Sequence, residues 1–372
     1  MIRTLRYGIV GAGMMGHEHI RNLELLPGAE VVAIADPHGE SRWWAQQIAG
    51  RRLREYTDVT GLLEDPGIDA LVVATPNHTH RAVLEPIFES DKPVLCEKPL
   101  CTTVDDARWA ADRARQHAGV FWVGMEYRWM APVARLIEQV HAGRIGTTRM
   151  LAIREHRYPF LPKVGDWNRF ARNTGGTFVE KCCHFFDLMR HVVQDEPIRV
   201  FASAGQDVNH LDERYDGETP DILDNGFVTV DFRHGARAML DLCMFAEASE
   251  NEQVITATGD AGKIEASLPD GRVVVGLRQP REVESETVSI DPDVLAAGAH
   301  FGSTFVQHQH FRRAILERRP AAVTADDGLR AVEMGAAAER SAQTGLPVDL
   351  EDGLEASFQA RTLDTERPEV RR

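Results

Sequence analysis

The sequence predicts two domains: a doubly wound parallel α/β domain, then an α+β domain with a large, mainly antiparallel open sheet. Three observations carry this expectation. At 372 residues the chain exceeds the usual size of a single domain. Its first third alternates short apolar runs with helical stretches, the pattern of parallel β-α-β units. Beyond residue 125 the alternation gives way to strands rich in Val, Phe and Thr with few helices between them, which indicates antiparallel pairing. The expected division is therefore 1–125 and 126–350, followed by a charged tail at 351–372 that is expected to be loose.

The first strand, residues 5–10, runs into Gly11-Ala12-Gly13-Met14-Met15-Gly16, a GxGxxG turn that opens a helix over 14–26. Strand, glycine turn and helix in that order form the Rossmann fingerprint for a dinucleotide. Gly11 permits the tight turn, Gly13 lets a pyrophosphate approach the backbone, and Gly16 lets the helix lie close on the sheet. Met14 and Met15 begin that helix, whose free N–H groups and dipole favour phosphate. The next apolar run, 31–35, ends in Asp36, 25 positions after Gly11, where a carboxylate can hydrogen-bond the adenosine ribose diol. Because that carboxylate repels a 2′-phosphate, the expected cofactor is NAD, with Arg42 as the counter-signal and simple capping by Asp36 as the alternative.

Helices at 40–48, 58–64, 78–89 and 103–117 then alternate with strands near 53–56, 69–74, 93–96 and 120–124. Parallel sheets of this kind bind ligands at the carboxyl ends of their strands. Those ends are Gly11, Asp36, Thr75-Pro76-Asn77, Glu97-Lys98-Pro99 and Gly124-Met125-Glu126. Thr75, Pro76, Asn77, His80, Glu97 and Lys98 therefore join the fingerprint as candidate cofactor contacts, with helix capping as the plainer role for Asn77. In the second domain, strands are expected at 147–157, 198–208, 222–233, 236–246, 252–259, 262–267 and 272–277. The corners at 232–237 and 258–262 suggest hairpins, and helices near 301–317 and 326–343 are expected to cover one sheet face.

Composition removes several classes of function. Hydrophobic residues at 43% and charged residues at 27% are ordinary for a globular protein, and no apolar run is long enough to span a bilayer. A net charge of -15 opposes nucleic-acid binding. The apolar strand begins by residue 5, which leaves no room for a signal peptide, so the mature chain is expected to begin at residue 1. Five cysteines without CxxC spacing fit a reducing, cytoplasmic setting.

Two further segments extend the fingerprint: Thr75-Pro76-Asn77-His78-Thr79-His80, and Gly175-Gly176-Thr177-Phe178-Val179-Glu180-Lys181-Cys182-Cys183-His184-Phe185-Phe186-Asp187. With Glu97-Lys98-Pro99 between them, they resemble the Gfo/Idh/MocA family, which includes glucose–fructose oxidoreductase and inositol 2-dehydrogenase, over nearly the whole chain. The resemblance implies NAD-dependent hydride exchange with a secondary ring hydroxyl of a sugar or cyclitol. It also implies a homodimer or homotetramer formed through the open face of the C-terminal sheet. The chain departs from the family where Glu180 replaces the usual aspartate and where Lys181-Cys182-Cys183 replaces small residues.

Oxidising an alcohol requires a base for the hydroxyl proton and a partner for the developing alkoxide. Lys98 suits the second role, and His184, which titrates near neutrality, suits the first. On one helix, Glu180 and His184 at i and i+4 share a face, so Glu180 can reach the substrate or orient the imidazole. Tyr127 is a further acid or base candidate. The plainer readings are a surface Lys98–Glu97 salt bridge and a His184 packed among Phe185, Phe186, Leu188 and Met189. Vicinal Cys182 and Cys183 diverge by about 100° on a helix, so no metal is expected.

The loop before the glycine pair carries Arg154, His156, Arg157, Lys163, Arg169 and Arg172 among Tyr158, Phe160, Trp167 and Phe170. Aromatic rings stack on sugar C–H faces while cations clamp anions. Arg128, Arg157, Lys163, Trp167, Arg169 and His184 are thus the expected substrate contacts, and an acidic sugar is the expected substrate, against domain-closing salt bridges. Two other functions fit the same residues. One is an NAD-dependent glycosidase that oxidises C3, eliminates the C1 substituent, adds water and re-reduces; the other is a non-catalytic NAD-sensing protein, against which Lys98 and His184 both count.

Overall fold

The computed structural model describes residues 3–350, and the tail expected at 351–372 lies outside the described residues. The first domain is built from β1 (Leu5–Val10), α1 (Met14–Leu25), β2 (Ala29–Ala35), α2 (Gly39–Ala49), β3 (Arg54–Tyr56) and α3 (Val59–Glu64). It continues with β4 (Ala70–Val73), α4 (His80–Ile87), β5 (Val94–Glu97), α5 (Val104–Gln116) and β6 (Phe121–Gly124). The six strands are parallel in the order β3-β2-β1-β4-β5-β6. β4, β5 and β6 are buried along their whole length because helices cover both faces, which is why they read as unbroken apolar runs. Strand order reverses between β1 and β4, and a crevice opens there at the carboxyl ends.

The second domain adds α6 (Ala131–His141), β7 (Thr148–His156), α7 (Ala171–Thr174), α8 (Thr177–Glu180), α9 (Cys183–Val193), β8 (Pro197–Gly205), β9 (Asn225–Phe232) and β10 (Arg237–Cys243). It ends with β11 (Gln253–Gly259), β12 (Gly262–Leu268), β13 (Arg272–Leu277), β14 (Val283–Thr287), α10 (Pro292–Ala296), α11 (Ser303–Glu317), α12 (Ala325–Thr344) and β15 (Val348–Asp349). The nine strands run β14-β13-β12-β11-β7-β10-β9-β8-β15, antiparallel throughout except where β7 pairs β10 in parallel. Both expected hairpins form, joining β9 to β10 and β11 to β12. Met150, Phe201, Phe227 and Met239 are exposed and lie on one face of this sheet, as their cross-strand register shows.

The two long C-terminal helices do not share the role expected of them. α12 lies on β8 and also on α5, α8 and α9, so it bridges the domains. α11 lies on α1 and on the turn Glu126–Trp129 instead of on the sheet. Its buried face explains this placement, since Phe311 meets Tyr7 and Trp122 of the first domain and His308 meets Tyr7 and His19. At Gly335 of α12, a Cβ would stand 2.8 Å from the Phe178 carbonyl oxygen, so glycine there lets the helix sit directly on α8.

Arg128, expected at the substrate, is instead an internal tie. Its guanidinium donates to Asp187 at 2.7 Å and to the Ala322 carbonyl at 3.0 Å, and it lies 3.6 Å from Asp327. Arg190 completes the cluster through Asp327 at 2.6 Å and Glu196 at 2.7 Å. These bonds fasten the turn after β6 to α9 and α12, and the side chain is spent on them. Arg128→Ala strands the buried Asp187 carboxylate and should lower stability by about 3 kcal/mol, read as a fall in Tm by calorimetry. An unchanged Tm would refute the tie.

Candidate active site

A cavity of about 1040 Å³ runs along the carboxyl ends of the parallel strands, from Gly11 and Asp36 to the space between Lys98 and His184. At its first end Gly11 has φ +91, and a Cβ there would lie 2.5 Å from the Ala74 carbonyl oxygen across the β1–β4 switch. A Cβ on Gly16 would lie 2.1 Å from the Gly11 carbonyl oxygen, which locks α1 against the turn. Gly13 lines the cavity and a Cβ on it would meet nothing within 4 Å, so its backbone is open to an incoming group. No side chain caps the N-terminus of α1, which leaves its N–H groups for a phosphate. Met14 and Met15 line the same stretch.

Asp36 accepts from the amide of Ala12 at 2.9 Å and from that of His38 at 2.8 Å, holding the glycine turn to the end of β2 with its carboxylate on the cavity wall. Arg42 is occupied, donating to the Asp36 carbonyl at 2.6 Å and to Glu55 at 2.9 Å, so the counter-signal for a 2′-phosphate is weak. An open glycine backbone, a free helix N-terminus and a ribose-facing carboxylate fit NAD. Thr75, Pro76, Asn77 and Glu97 line the next stretch, where the Asn77 side chain caps no helix and its amide nitrogen is buried without a partner. His80 does not line the cavity. Its ring bonds the Pro99 carbonyl at 2.9 Å and the Thr75 carbonyl at 3.2 Å, bracing the two neighbouring turns.

At the other end, Lys98 Nζ donates to the main-chain carbonyl of Glu180 at 3.0 Å, so the Lys98 turn and the 180–184 segment are in direct contact. The surface Lys98–Glu97 salt bridge does not form, because His19 holds the Glu97 carboxylate at 3.0 Å. Burial alone would lower the Lys98 pKa, but Cys183, Glu180, Glu126 and Glu97 around it raise it above the ordinary lysine value. Lys98 is therefore a charged donor and not a base.

Glu180 and His184 are not on one helix. α8 ends at Glu180 and α9 starts at Cys183, and the backbone bonds change register between them: Lys181 and Cys182 both donate to the Thr177 carbonyl, while Phe185 and Phe186 both donate to that of Cys182. The break releases the Glu180 carbonyl to accept from Lys98. It also changes what orients the imidazole. His184 stacks on Tyr127, with ring centroids 3.9 Å apart and planes 4° from parallel, and its Nε2 lies 3.7 Å from Glu126 Oε1. Burial, reinforced by Lys98, Lys181, His300 and Arg157, holds the His184 pKa well below the usual histidine value. The expectation that it titrates near neutrality is thus replaced by a neutral ring, with Nδ1 buried and unpartnered.

Burial raises the Glu180 pKa against the pull of Lys163, Lys98, Arg169 and Lys181, and its Oε2 is buried without a partner. Tyr127 is a neutral phenol, its pKa far above normal through burial and Glu155; its hydroxyl accepts from Lys181 Nζ at 2.7 Å, and Lys181 pairs with Glu155 at 2.8 Å. Cys182 and Cys183 are fully buried, with thiols pushed up by burial, that of Cys183 to about 12.

Of the expected substrate contacts, Arg157, Lys163 and Trp167 line the cavity beside His184. Lys163 lies 5.1 Å from the Trp167 ring, and Arg157 stacks 4.2 Å over Tyr158. Arg169 does not line it; it is buried and donates to Glu213 at 3.0 Å, anchoring the segment before β9. Sequence reasoning named Glu126 on the ligand rim and Lys181 as a departure without giving either a role, and missed His300 and Glu18; all four line the cavity. Glu126 lies two residues past β6 on the ligand-binding rim and was legible by position, whereas nothing in the stretch around His300 marked it.

A family model described as the oxidoreductase family, NAD-binding Rossmann fold, matches residues 5–125, and one described as the oxidoreductase family, C-terminal alpha/beta domain, matches residues 137–350. The chain is 28% identical to the uncharacterized oxidoreductase YrbE of Bacillus subtilis, over 96% of this chain and 100% of that one. It is 26% identical to myo-inositol 2-dehydrogenase of Thermotoga maritima, over 94% and 99% respectively. A levoglucosan dehydrogenase solved with NADH and levoglucosan shares the fold, with a TM-score of 0.83 at 20% identity over 94% of this chain and 100% of that one.

With Asp36 on the wall, the protein should bind NAD about 100-fold more tightly than NADP. Asp36→Ser should erase most of that preference by weakening NAD and admitting NADP. Calorimetric titration of both nucleotides measures it, and an unaltered ratio would remove Asp36 from the site.

Proposed function

From the premise that this chain belongs to the Gfo/Idh/MocA oxidoreductase family, with an NAD-binding first domain, we propose that it exchanges a hydride between NAD and a secondary ring hydroxyl of a sugar or cyclitol. One observation carries the reading: a charged Lys98 and a neutral, cavity-lining His184 flank one space that is continuous with the dinucleotide turn. Likeness to an inositol 2-dehydrogenase along the whole chain supports a cyclic polyol as the substrate class.

Bound NAD supplies the hydride acceptor. His184 takes the hydroxyl proton, and as a neutral imidazole it is ready to do so at physiological pH. The Lys98 ammonium, fixed by the Glu180 carbonyl, stabilises negative charge on the reacting oxygen. Tyr127 holds the imidazole plane by stacking, and its own raised pKa keeps it out of proton abstraction. Trp167 offers a ring for sugar C–H faces. With Arg128 and Arg169 engaged elsewhere and Arg157 paired with Glu155 at 3.4 Å, Lys163 is the expected cation left for an acidic substituent, on the cavity that Glu180 also lines.

A second reading, the redox glycosidase, is supported by the number of proton-holding groups on one cavity, His184, Glu126 and Glu180, where simple oxidation needs one base. We also propose that the face bearing Phe227 and Met239 meets a second copy of the chain, since the exposed Met150, Phe201, Phe227 and Met239 share that face.

A panel of cyclitols, neutral sugars, uronates and aryl glycosides tests the reading. Stoichiometric NADH supports the dehydrogenase, and sustained aglycone release with only catalytic NAD supports the glycosidase. Lys98→Met should lower kcat about 1000-fold with little change in NAD affinity; retained turnover would defeat the assignment. If Lys163 receives an anionic group, a uronate should exceed its neutral sugar in kcat/KM by about tenfold and lose that margin in Lys163→Ala.

A further inference from the structure

Beside His184 stands a chain of titratable groups that hydride transfer itself does not require. Glu126 Oε1 lies 3.7 Å from His184 Nε2 on one side and 3.9 Å from His300 Nε2 on the other. His300 Nδ1 is bonded to Glu18 Oε1 at 2.7 Å, and Glu18 is held by Thr304 at 2.8 Å and lies on the cavity wall. The Glu126 side chain is buried with Oε2 unpartnered, whereas the His300 side chain keeps 23% of its surface exposed. The two gaps on either side of Glu126 are longer than hydrogen bonds, and each is closed by a small rotation of the carboxylate or by one water.

We propose that Glu126 is a relay residue, which takes from His184 the proton released by the substrate hydroxyl and passes it through His300 toward solvent. This rests on the alcohol-oxidising reading above. The bookkeeping closes within it: the C–H electron pair leaves as hydride to NAD, the O–H pair becomes the second carbonyl bond, and the proton travels from His184 Nε2 to Glu126 Oε1 and then to His300 Nε2, once the partly exposed His300 has released its own Nε2 proton to solvent. A neutral imidazole buried among cations cannot hold that proton for long, so a nearby acceptor speeds its return to the basic form.

The electrostatics agree with the geometry. Burial, with Glu97 as a like charge, pushes Glu126 up to about 7 against the opposing pull of His300 and Lys98. A carboxyl at that value gives up and takes a proton with little bias near neutrality. His300 faces Glu18, Glu126 and Glu97, which raise its pKa against burial. The groups around Glu126 are thus His184 from α9, Glu97 and Lys98 from the end of β5, and His300 with Glu18 of α1 behind it.

The test combines an infrared titration of the cofactor-free protein with a pH profile. Between pH 5 and 9, wild type should lose a protonated-carboxyl band near neutrality, and E126Q should lack that component. E339Q serves as the control, because burial also pushes Glu339 up to about 7. With a polyol that the wild type oxidises, E126Q should lower kcat about tenfold or more, leave KM within about threefold, and shift the acid limb of the kcat profile. E126D should restore part of the rate, and H300N should move the same limb. A wild-type rate and profile in E126Q overturn the relay while leaving the dehydrogenase intact, as does a band unaffected by E126Q. If wild type oxidises no alcohol, the relay falls together with the proposed function, and the infrared band tells the two failures apart.

Discussion

The arrangement of the candidate active site turns on one of the hydrogen bonds between the domains, from the Lys98 ammonium to the main-chain carbonyl of Glu180. A carbonyl inside a continuous helix is spent on the amide four residues later, so this bond needs a helix that stops. The register change between α8 and α9 provides the stop. The donor comes from the rim of the parallel sheet and the acceptor from the second domain, and the cavity beside the bond runs from the cofactor turn to His184. Gly335, by letting α12 rest directly on α8, fixes the height of the acceptor.

Around that bond the cavity is electrostatically crowded. Lys98, Lys163, Lys181 and Arg157 stand with Glu97, Glu126 and Glu180 around one cavity. In a medium with little water the balance decides protonation: the cations, together with burial, keep His184 neutral, while the carboxyls keep Lys98 charged. The same balance splits the carboxyls. Glu97, bonded to His19, stays below the usual range, whereas Glu126, without a close partner, rises to about 7. Like residues thus take different tasks because their neighbours differ.

Much of the first domain was legible because local chemistry dictates it. Gly11 and Gly16 sit where any Cβ would strike a backbone carbonyl, and Asp36 ends a buried strand on the ligand rim. The Lys98 and His184 positions were legible through motif spacing. Arg128 and Arg169 were misread since a cation next to aromatic residues looks the same in sequence whether it clamps a ligand or a distant carboxylate. Their partners, Asp187 and Glu213, lie 59 and 44 residues away. The placement of α11 was misread for a similar reason: its apolar stripe reveals that it is covered, not which domain covers it.

The sequence by itself determined the fold class, the dinucleotide turn and the residue types that oxidation chemistry requires, because short-range sterics, strand and helix periodicity and motif spacing act over a few residues. Tertiary structure alone decided that Glu180 and His184 belong to different helices, that Tyr127 and Glu126 flank the imidazole, and that His300 reaches the same cavity from far along the chain. Those outcomes depend on which surfaces are buried together, and burial, through the desolvation of charge, sets which of these groups hold a proton.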